Sequence, residues 1–533
     1  MNTKWCGGCL SGSSEPERVQ NSIHNFKKGR EMEKRLYINQ DNHQFYLHPT
    51  EDMSVEGCRA LVDYYAETGT VKGILFCTNV QRALYDSEVW ERFSDIEDPD
   101  PLVQNLKVLS RRKVDYFGAW LERCREVGIE GWLTMRMNDC HGLDCVCHNI
   151  VDHFCYKWPS VKWRTREDLR RAPYRSERSW ESAYNFMLEE VREHHLSLVR
   201  EILQKWDMYG LELDWERWGM MLPPGSETEG QEVLTAFVRQ VRALMDEAET
   251  RVGHKIRLAH RVLHRIDACL DSGFDVITWA REGMADMLTL GAWGTDSIPH
   301  AKVWRNLVPE GTILNICNEN SAAIDFYPGH FCMSPDILAG ITAAIYEEGY
   351  DHCYLFNDCY REGDSHEEFH DFLKRLGSPE KLSRMYRRLP FTNTTQYPGS
   401  SVKGVLPILL DHPWSEYEYA RMEQNISLKF PYAGKSGDAY LVVGFSKETV
   451  RESVEDMPAR MNTVLLERGE CTEAEPFYMP FQSPDSRSEQ VGFYLSWKIP
   501  AGILHPGGNV AELLPEHVPG KVMWAELMLL PSE

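Results

Sequence analysis

Short apolar runs alternate with long helix-patterned segments through most of the chain, and this alternation restricts the fold more than any single motif does. The strand-like runs are Arg35–Asn39, Val71–Cys77, Ile129–Met137, Tyr209–Trp215, Lys255–Arg261, Ala285–Trp293, Thr312–Cys317 and His352–Asn357. Helical patterns fill the gaps at Val55–Thr68, Leu102–Val127, Ser182–Trp206, Gln231–Glu249, Ile266–Asp271 with a further segment at Val276–Glu282, His300–Leu307, Pro335–Glu348 and His366–Leu376. A strand followed by a helix, repeated, implies parallel strands joined by helical crossovers. Eight such units predict a closed α/β barrel, the (β/α)8 or TIM barrel, somewhat enlarged by loop insertions. After Pro379 the helical period fades. Alternating runs such as 439–445, 492–497 and 522–530, set between Gly and Pro turns, predict a C-terminal all-β sandwich. The expected organisation is a loose, disordered tail over 1–30, a barrel domain over 31–380 and a β-sandwich over 381–533.

Composition narrows the partners. The net charge is −23, which argues against nucleic acid and against an anionic membrane surface, since both call for clustered Lys and Arg. No stretch of about 18 apolar residues is present, so no membrane span is expected. Residues 1–10 lack the apolar core of a signal peptide. Fifteen cysteines in 533 residues do not resemble the disulfide framework of a small secreted domain. A cytoplasmic protein with free thiols is the expectation, and the sandwich offers a surface for a homo-oligomer.

The fourth strand carries the chemistry. Leu211, Leu213 and Trp215 alternate with Glu212, Asp214 and Glu216, so a strand here sends three carboxylates to one face. Unpaired charge is too costly to bury in an apolar core, so this face is expected to look into a polar, partly wet cavity. The inside of a parallel barrel near its C-terminal mouth fits that demand. The other strands also end in polar residues: Asp41 after the first, Asn79 after the second, and Arg136, Asn138, Asp139 and His141 at the third. His260 and Arg261 end the fifth, Trp293 the sixth, Glu319 the seventh, and Asn357 and Asp358 the eighth. Carboxylates and amides with interleaved Trp suit a ligand covered in hydroxyls.

Paired carboxylates at such a mouth point to hydrolysis of a glycosidic bond, one acid protonating the leaving oxygen and the other attacking or activating water. Asp214 and Glu216 lie about 6.5–7 Å apart at their Cα atoms. Asp214 is the deeper, with Arg261 and Arg217 as candidates to keep it ionised. Glu216 is expected nearer the rim, within reach of a leaving group. Both are the expected catalytic residues. Asp41, Asn79, Arg136, Asn138, Asp139, His141, Glu212, His260, Arg261, Trp293, Glu319, Asn357 and Asp358 are the expected substrate contacts. A structural reading stands beside this one, with Glu212 and Asp214 paired to Arg136 and Arg261.

The run Gly210-Leu-Glu-Leu-Asp-Trp-Glu216 resembles the strand-four signature of family 18 glycoside hydrolases. The resemblance implies Glu216 as proton donor and Asp214 as its neighbouring aspartate. Tyr209 and Glu212 stand where that family has aspartates. A broader resemblance, over most of 30–380, is to the bacterial glycosyl-hydrolase-like TIM barrels of the family 10-like group. It includes Arg136-Met-Asn-Asp139 with His141, Glu190-Val-Arg192, the run 273–283 and Tyr354-Leu-Phe-Asn357. It implies a barrel hydrolase acting on carbohydrate, and it shifts weight from Glu216 towards Asp214, Asp139, Glu319 and Asp358.

Two alternatives belong to other classes. One is a non-catalytic carbohydrate-binding barrel. The other is a metal-dependent hydrolase on the same fold, using His43, His141 and His260. Cys140, His141, Cys145, Cys147, His148, His153 and Cys155 fall close together, but their spacing matches no common structural zinc pattern. Cys6 and Cys9 form an isolated pair, with no second pair beside it. No metal and no cofactor are expected.

Overall fold

The structure is a computed structural model. It describes residues 35–41, 45–46, 52–139, 183–217, 219–291, 298–319, 335–356, 366–391, 406–410, 426–469, 491–515 and 518–532.

Eight parallel strands close on themselves in sequence order. They are β1 (Leu36–Gln40), β2 (Val71–Cys77), β3 (Glu130–Arg136), β4 (Gly210–Asp214), β5 (Arg257–Leu263), β6 (Met287–Gly291), β7 (Ile313–Glu319) and β8 (His352–Phe356). β1 pairs with β8 to complete the ring. Alternation along each strand then sorts the side chains. Tyr37, Leu75, Trp132, Ala259, Met287, Cys317, Tyr354 and Phe356 fill the inside of the barrel as one cluster. The opposite faces, such as Leu211, Leu213 and Trp215 on β4, join the larger core under the helices.

The expected helix over 102–127 is two helices, α1 (Pro101–Arg112) and α2 (Tyr116–Val127). Lys113 adopts the left-handed conformation, φ 55°, and ends α1. Asp115 then caps α2 by accepting from the amide of Gly118 at 2.9 Å. The break follows from the Lys-Val-Asp sequence, because an N-cap carboxylate satisfies an otherwise orphan amide.

Beyond the barrel lie two antiparallel sheets. In the larger, β9 (Arg387–Phe391) pairs with β13 (Lys521–Leu529), which lies against β11 (Ala439–Ser446). The smaller holds β10 (Ile426–Phe430) and β12 (Asn509–Leu513). Phe391 of the first meets Phe430 of the second edge-on, with centroids 4.6 Å apart. The barrel helix Pro335–Glu347 packs directly on β9. A side chain at Gly340 of that helix would come within 2.1 Å of the Arg388 carbonyl oxygen, so the close approach requires glycine. Among the described residues, no helix is long and apolar enough to cross a membrane.

Candidate active site

The inward residues of the strands stack in layers, and polarity rises towards the C-terminal mouth. Below lies the apolar cluster. Above it sits a hydrogen-bonded layer. Asn39 of β1 donates to the Tyr354 hydroxyl of β8 at 3.0 Å. Tyr354 donates in turn to Glu212 Oε1 at 2.8 Å, and Thr134 of β3 donates to the same oxygen at 2.8 Å.

The next layer is ionic. Asp214 and Arg261 are register partners on β4 and β5. Arg261 Nη1 donates to Asp214 Oδ1 at 2.8 Å, and Nη2 lies 3.2 Å from Glu216 Oε2. Asp214 Oδ1 also accepts the backbone amides of Glu216 and Arg217, each at 3.1 Å. Among the described residues its other oxygen, Oδ2, accepts no hydrogen bond. The Arg261 guanidinium carbon lies 3.7 Å from the centroid of the Phe356 ring on β8. Such a contact draws on the ring's negative face.

A second cationic centre adjoins the first. Arg136 of β3 pairs with Asp41 after β1 and, at 2.7 Å, with Asp139. Burial works against its charge, but Asp41 leads a set of nearby anions that hold the Arg136 pKa well above the ordinary value. Arg217 Nε lies 3.9 Å from Asp139. Burial and then the neighbouring Arg136 charge lower its pKa. All of these side chains are buried.

The acids of β4 therefore separate in environment. Glu212, with hydroxyl partners beneath Asp214, has its pKa raised to about 7, first by burial and then by the Asp214 charge. Glu216 is fully buried rather than at the rim. It turns sideways over β6, where a Cβ at Gly291 would fall 1.6 Å from its Oε2. This places the carboxylate beside the Arg261 guanidinium and inside the wall of the barrel rather than at its open mouth.

Several expected contacts are engaged within the protein instead. His260 faces outward. Trp215 Nε1 donates to its Nδ1 at 3.0 Å, and its Nε2 meets the Met284 carbonyl at 2.8 Å. Burial lowers its pKa to about 4. The cause is parity: Arg261 points in, so its neighbour must point out. Asn79 is tied to backbone, donating to the carbonyls of Val80 and Arg136 and accepting the Arg136 amide. Asn138 likewise ties the Tyr184 amide to the Met220 carbonyl. Arg136 pairs with Asp41 and Asp139 rather than with Glu212 or Asp214. Asp41, Arg136, Asp139, Glu212, Asp214, Glu216 and Arg261 do come together.

Glu319 closes β7. His141, Trp293, Asn357 and Asp358 lie outside the described residues, as do His43 and the Cys/His run from 140 to 155. Among the described residues no cluster of His, Cys, Asp and Glu is arranged to hold a metal ion. Tyr354 and Phe356 were not anticipated. Alternation on β8, with His352, Tyr354 and Phe356 on one face, was the signal for them.

No family model matches the chain, and no curated protein matches it. Solved structures similar to it include α-L-fucosidase isoenzyme 2 from Paenibacillus thiaminolyticus. That match has 15% identity and a TM-score of 0.40 over 68% of this chain, but only 51% of that enzyme, so about half its length. Isoenzyme 1 from the same organism aligns over 91% of this chain and 97% of its own, at 13% identity and a TM-score of 0.36. A putative α-L-fucosidase from Bacteroides thetaiotaomicron aligns over 98% and 99%, at 10% identity and a TM-score of 0.36.

Proposed function

We propose that this protein is a glycoside hydrolase in which Asp214 is the reacting carboxylate. The observation that carries the reading is the asymmetry of that side chain. Oδ1 is fixed by Arg261 and two backbone amides, while Oδ2 takes no hydrogen bond among the described residues. A nucleophile or base needs this arrangement, with one oxygen anchored and charged and the other free to react. The site lies at the C-terminal ends of the strands, where barrels of this kind place their chemistry.

In this reading Glu216 is a positioning residue. It lies 3.2 Å from Arg261, the partner of Asp214, a place that favours positioning over the donor role that the family 18 resemblance implied. The proton for the leaving oxygen is then assigned to Glu319, the last residue of β7, or to Asp358, which follows β8 in the sequence. Asp139 and Asp41 fix Arg136, whose place beside Asp214 suits it to a sugar hydroxyl.

The test is hydrolysis of a panel of aryl glycosides, α-L-fucosides included, by the purified protein and by Asp214→Asn. The expected result is release of the aryl group from at least one member, reduced at least about a hundredfold in the variant, with circular dichroism unchanged. Saccharide binding without release from any member would replace this reading with a non-catalytic carbohydrate-binding barrel. Undiminished turnover in Asp214→Asn would remove that residue from the chemistry.

A further inference from the structure

We propose that Glu212 is the protonated member of a stacked carboxyl pair, with ionised Asp214 above it, and that loss of the Glu212 proton sets the alkaline limit of the site. The proposal deepens the hydrolase reading, because it names what regulates the same carboxylate.

Geometry carries the argument. Glu212 and Asp214 alternate on one face of β4, one layer apart. The only hydrogen bonds to Glu212 among the described residues come from neutral hydroxyls, Thr134 on β3 and Tyr354 on β8, and both reach Oε1. Asn39 on β1 donates to Tyr354, which leaves the Tyr354 proton directed at Glu212. Oε2 is enclosed and has no partner. Arg261 on β5 hydrogen-bonds Asp214 through Nη1 and lies 3.2 Å from Glu216 through Nη2; its charge opposes the rise of the Glu212 pKa but ranks below burial and the Asp214 charge. The apolar floor of the barrel, including Leu75, Ala259 and Met287, lies below. A second carboxylate charge in this position would meet Asp214 with only hydroxyl compensation, and an enclosed charge is far costlier than an enclosed neutral acid. The raised pKa of Glu212 agrees, with burial as its first cause and the Asp214 charge as its second.

The consequence for function is direct. While Glu212 keeps its proton, this part of the strand carries one negative charge, on Asp214, and Arg261 is committed to it. Once Glu212 ionises, a further anion enters the Arg261 field, beside Asp214 and Glu216, and repels Asp214. The orientation that leaves Asp214 Oδ2 free is then no longer favoured.

The deciding experiment is infrared spectroscopy of the full chain across pH, following the C=O stretch of protonated carboxyl groups. Glu212→Gln serves as the difference reference. One such band is expected below neutral pH in the wild type, fading as pH rises through about 7, and missing from Glu212→Gln. Two further variants should move its midpoint in opposite directions by about a unit. Asp214→Asn lowers it by removing the repelling charge, and Tyr354→Phe raises it by removing a donor. A spectrum at pH 6 identical in wild type and Glu212→Gln would overturn the proposal, as would a midpoint unmoved by Asp214→Asn. This readout does not require turnover, so failure of the aryl glycoside panel leaves it standing. Where turnover is found, the alkaline limb of the rate profile is expected to flatten in Glu212→Gln, and an unchanged limb would overturn the regulatory part.

Discussion

Asp214 and Arg261 are joined twice, as backbone register partners on adjacent strands and as a 2.8 Å ion pair inside the barrel. The same guanidinium holds Glu216 at 3.2 Å and lies on Phe356. One cation thus compensates two enclosed anions. Arg261→Met keeps much of the volume and removes the cation, leaving Asp214 with its two backbone amides. The expected loss is about 3–5 kcal/mol, the range for breaking a buried pair from one side, read from urea unfolding with the activity panel in parallel. Arg261→Lys is expected to lose less stability, but a point charge cannot serve two carboxylates as a planar fork does. A loss in the Met variant within about 1 kcal/mol, the range of exposed pairs, would mean that the acids are neutralised by something else.

Gly291 on β6 is where Glu216 is seated, since a Cβ there would fall 1.6 Å from Glu216 Oε2. Gly291→Ala should push the carboxylate off Arg261 and cost about 1–3 kcal/mol, as overpacking does. Glu216→Ala vacates that space. The double variant is therefore expected to be more stable than the sum of the two single losses predicts, by about 0.5–3 kcal/mol of coupling. Additive losses in thermal unfolding would place the Glu216 side chain elsewhere.

These two positions also mark how far the sequence could be read. The eight-fold alternation reports the barrel because each strand and each helix carries its own period, and the three acids of β4 report an inward polar face for the same reason. The Arg261 partnership with Asp214 was anticipated. The direction of Glu216 was not, because it depends on a glycine 75 residues later, and no local pattern couples the two. His260 follows strand parity: with Arg261 pointing in, its neighbour faces out, and the identity of a strand-end residue alone does not carry that direction. Asn79 and Asn138 look like ligands in sequence, but each answers a backbone need at the barrel mouth, which depends on loop paths that periodicity does not encode.

Stability should fall as pH rises towards and past neutrality, in the part that Glu212 controls. Its folded pKa, about 7, is raised above the ordinary value of 4.5. Between those values the folded chain holds a proton that the unfolded chain has released, so unfolding becomes easier with rising pH across that window. The stabilisation is largest below about 4.5 and is gone above about 7. It amounts to an order of 3 kcal/mol by the usual conversion from pKa to free energy. Urea midpoints at a series of pH values, wild type against Glu212→Gln, isolate this part, because the glutamine has no proton to lose. A difference between the two that stays flat from pH 5 to 8 would contradict it.

His260 provides the sharpest separation of the expected site from the observed one. Its ring stands between β5 and the helices, where it accepts from the Trp215 indole and meets the Met284 carbonyl. With a pKa lowered to about 4 it is neutral over the working range, so Nδ1 is the acceptor and Nε2 the donor. His260→Leu fills similar space but leaves an indole N–H and a carbonyl without partners. The expected cost is about 1–3 kcal/mol for each group left unsatisfied. Because the ring faces away from the ionic layer, any saccharide that binds the wild type should bind this variant with the same affinity by calorimetry below its unfolding temperature. A variant that keeps its stability but loses saccharide affinity would return His260 to the mouth of the barrel and undo the outward assignment of that face of β5.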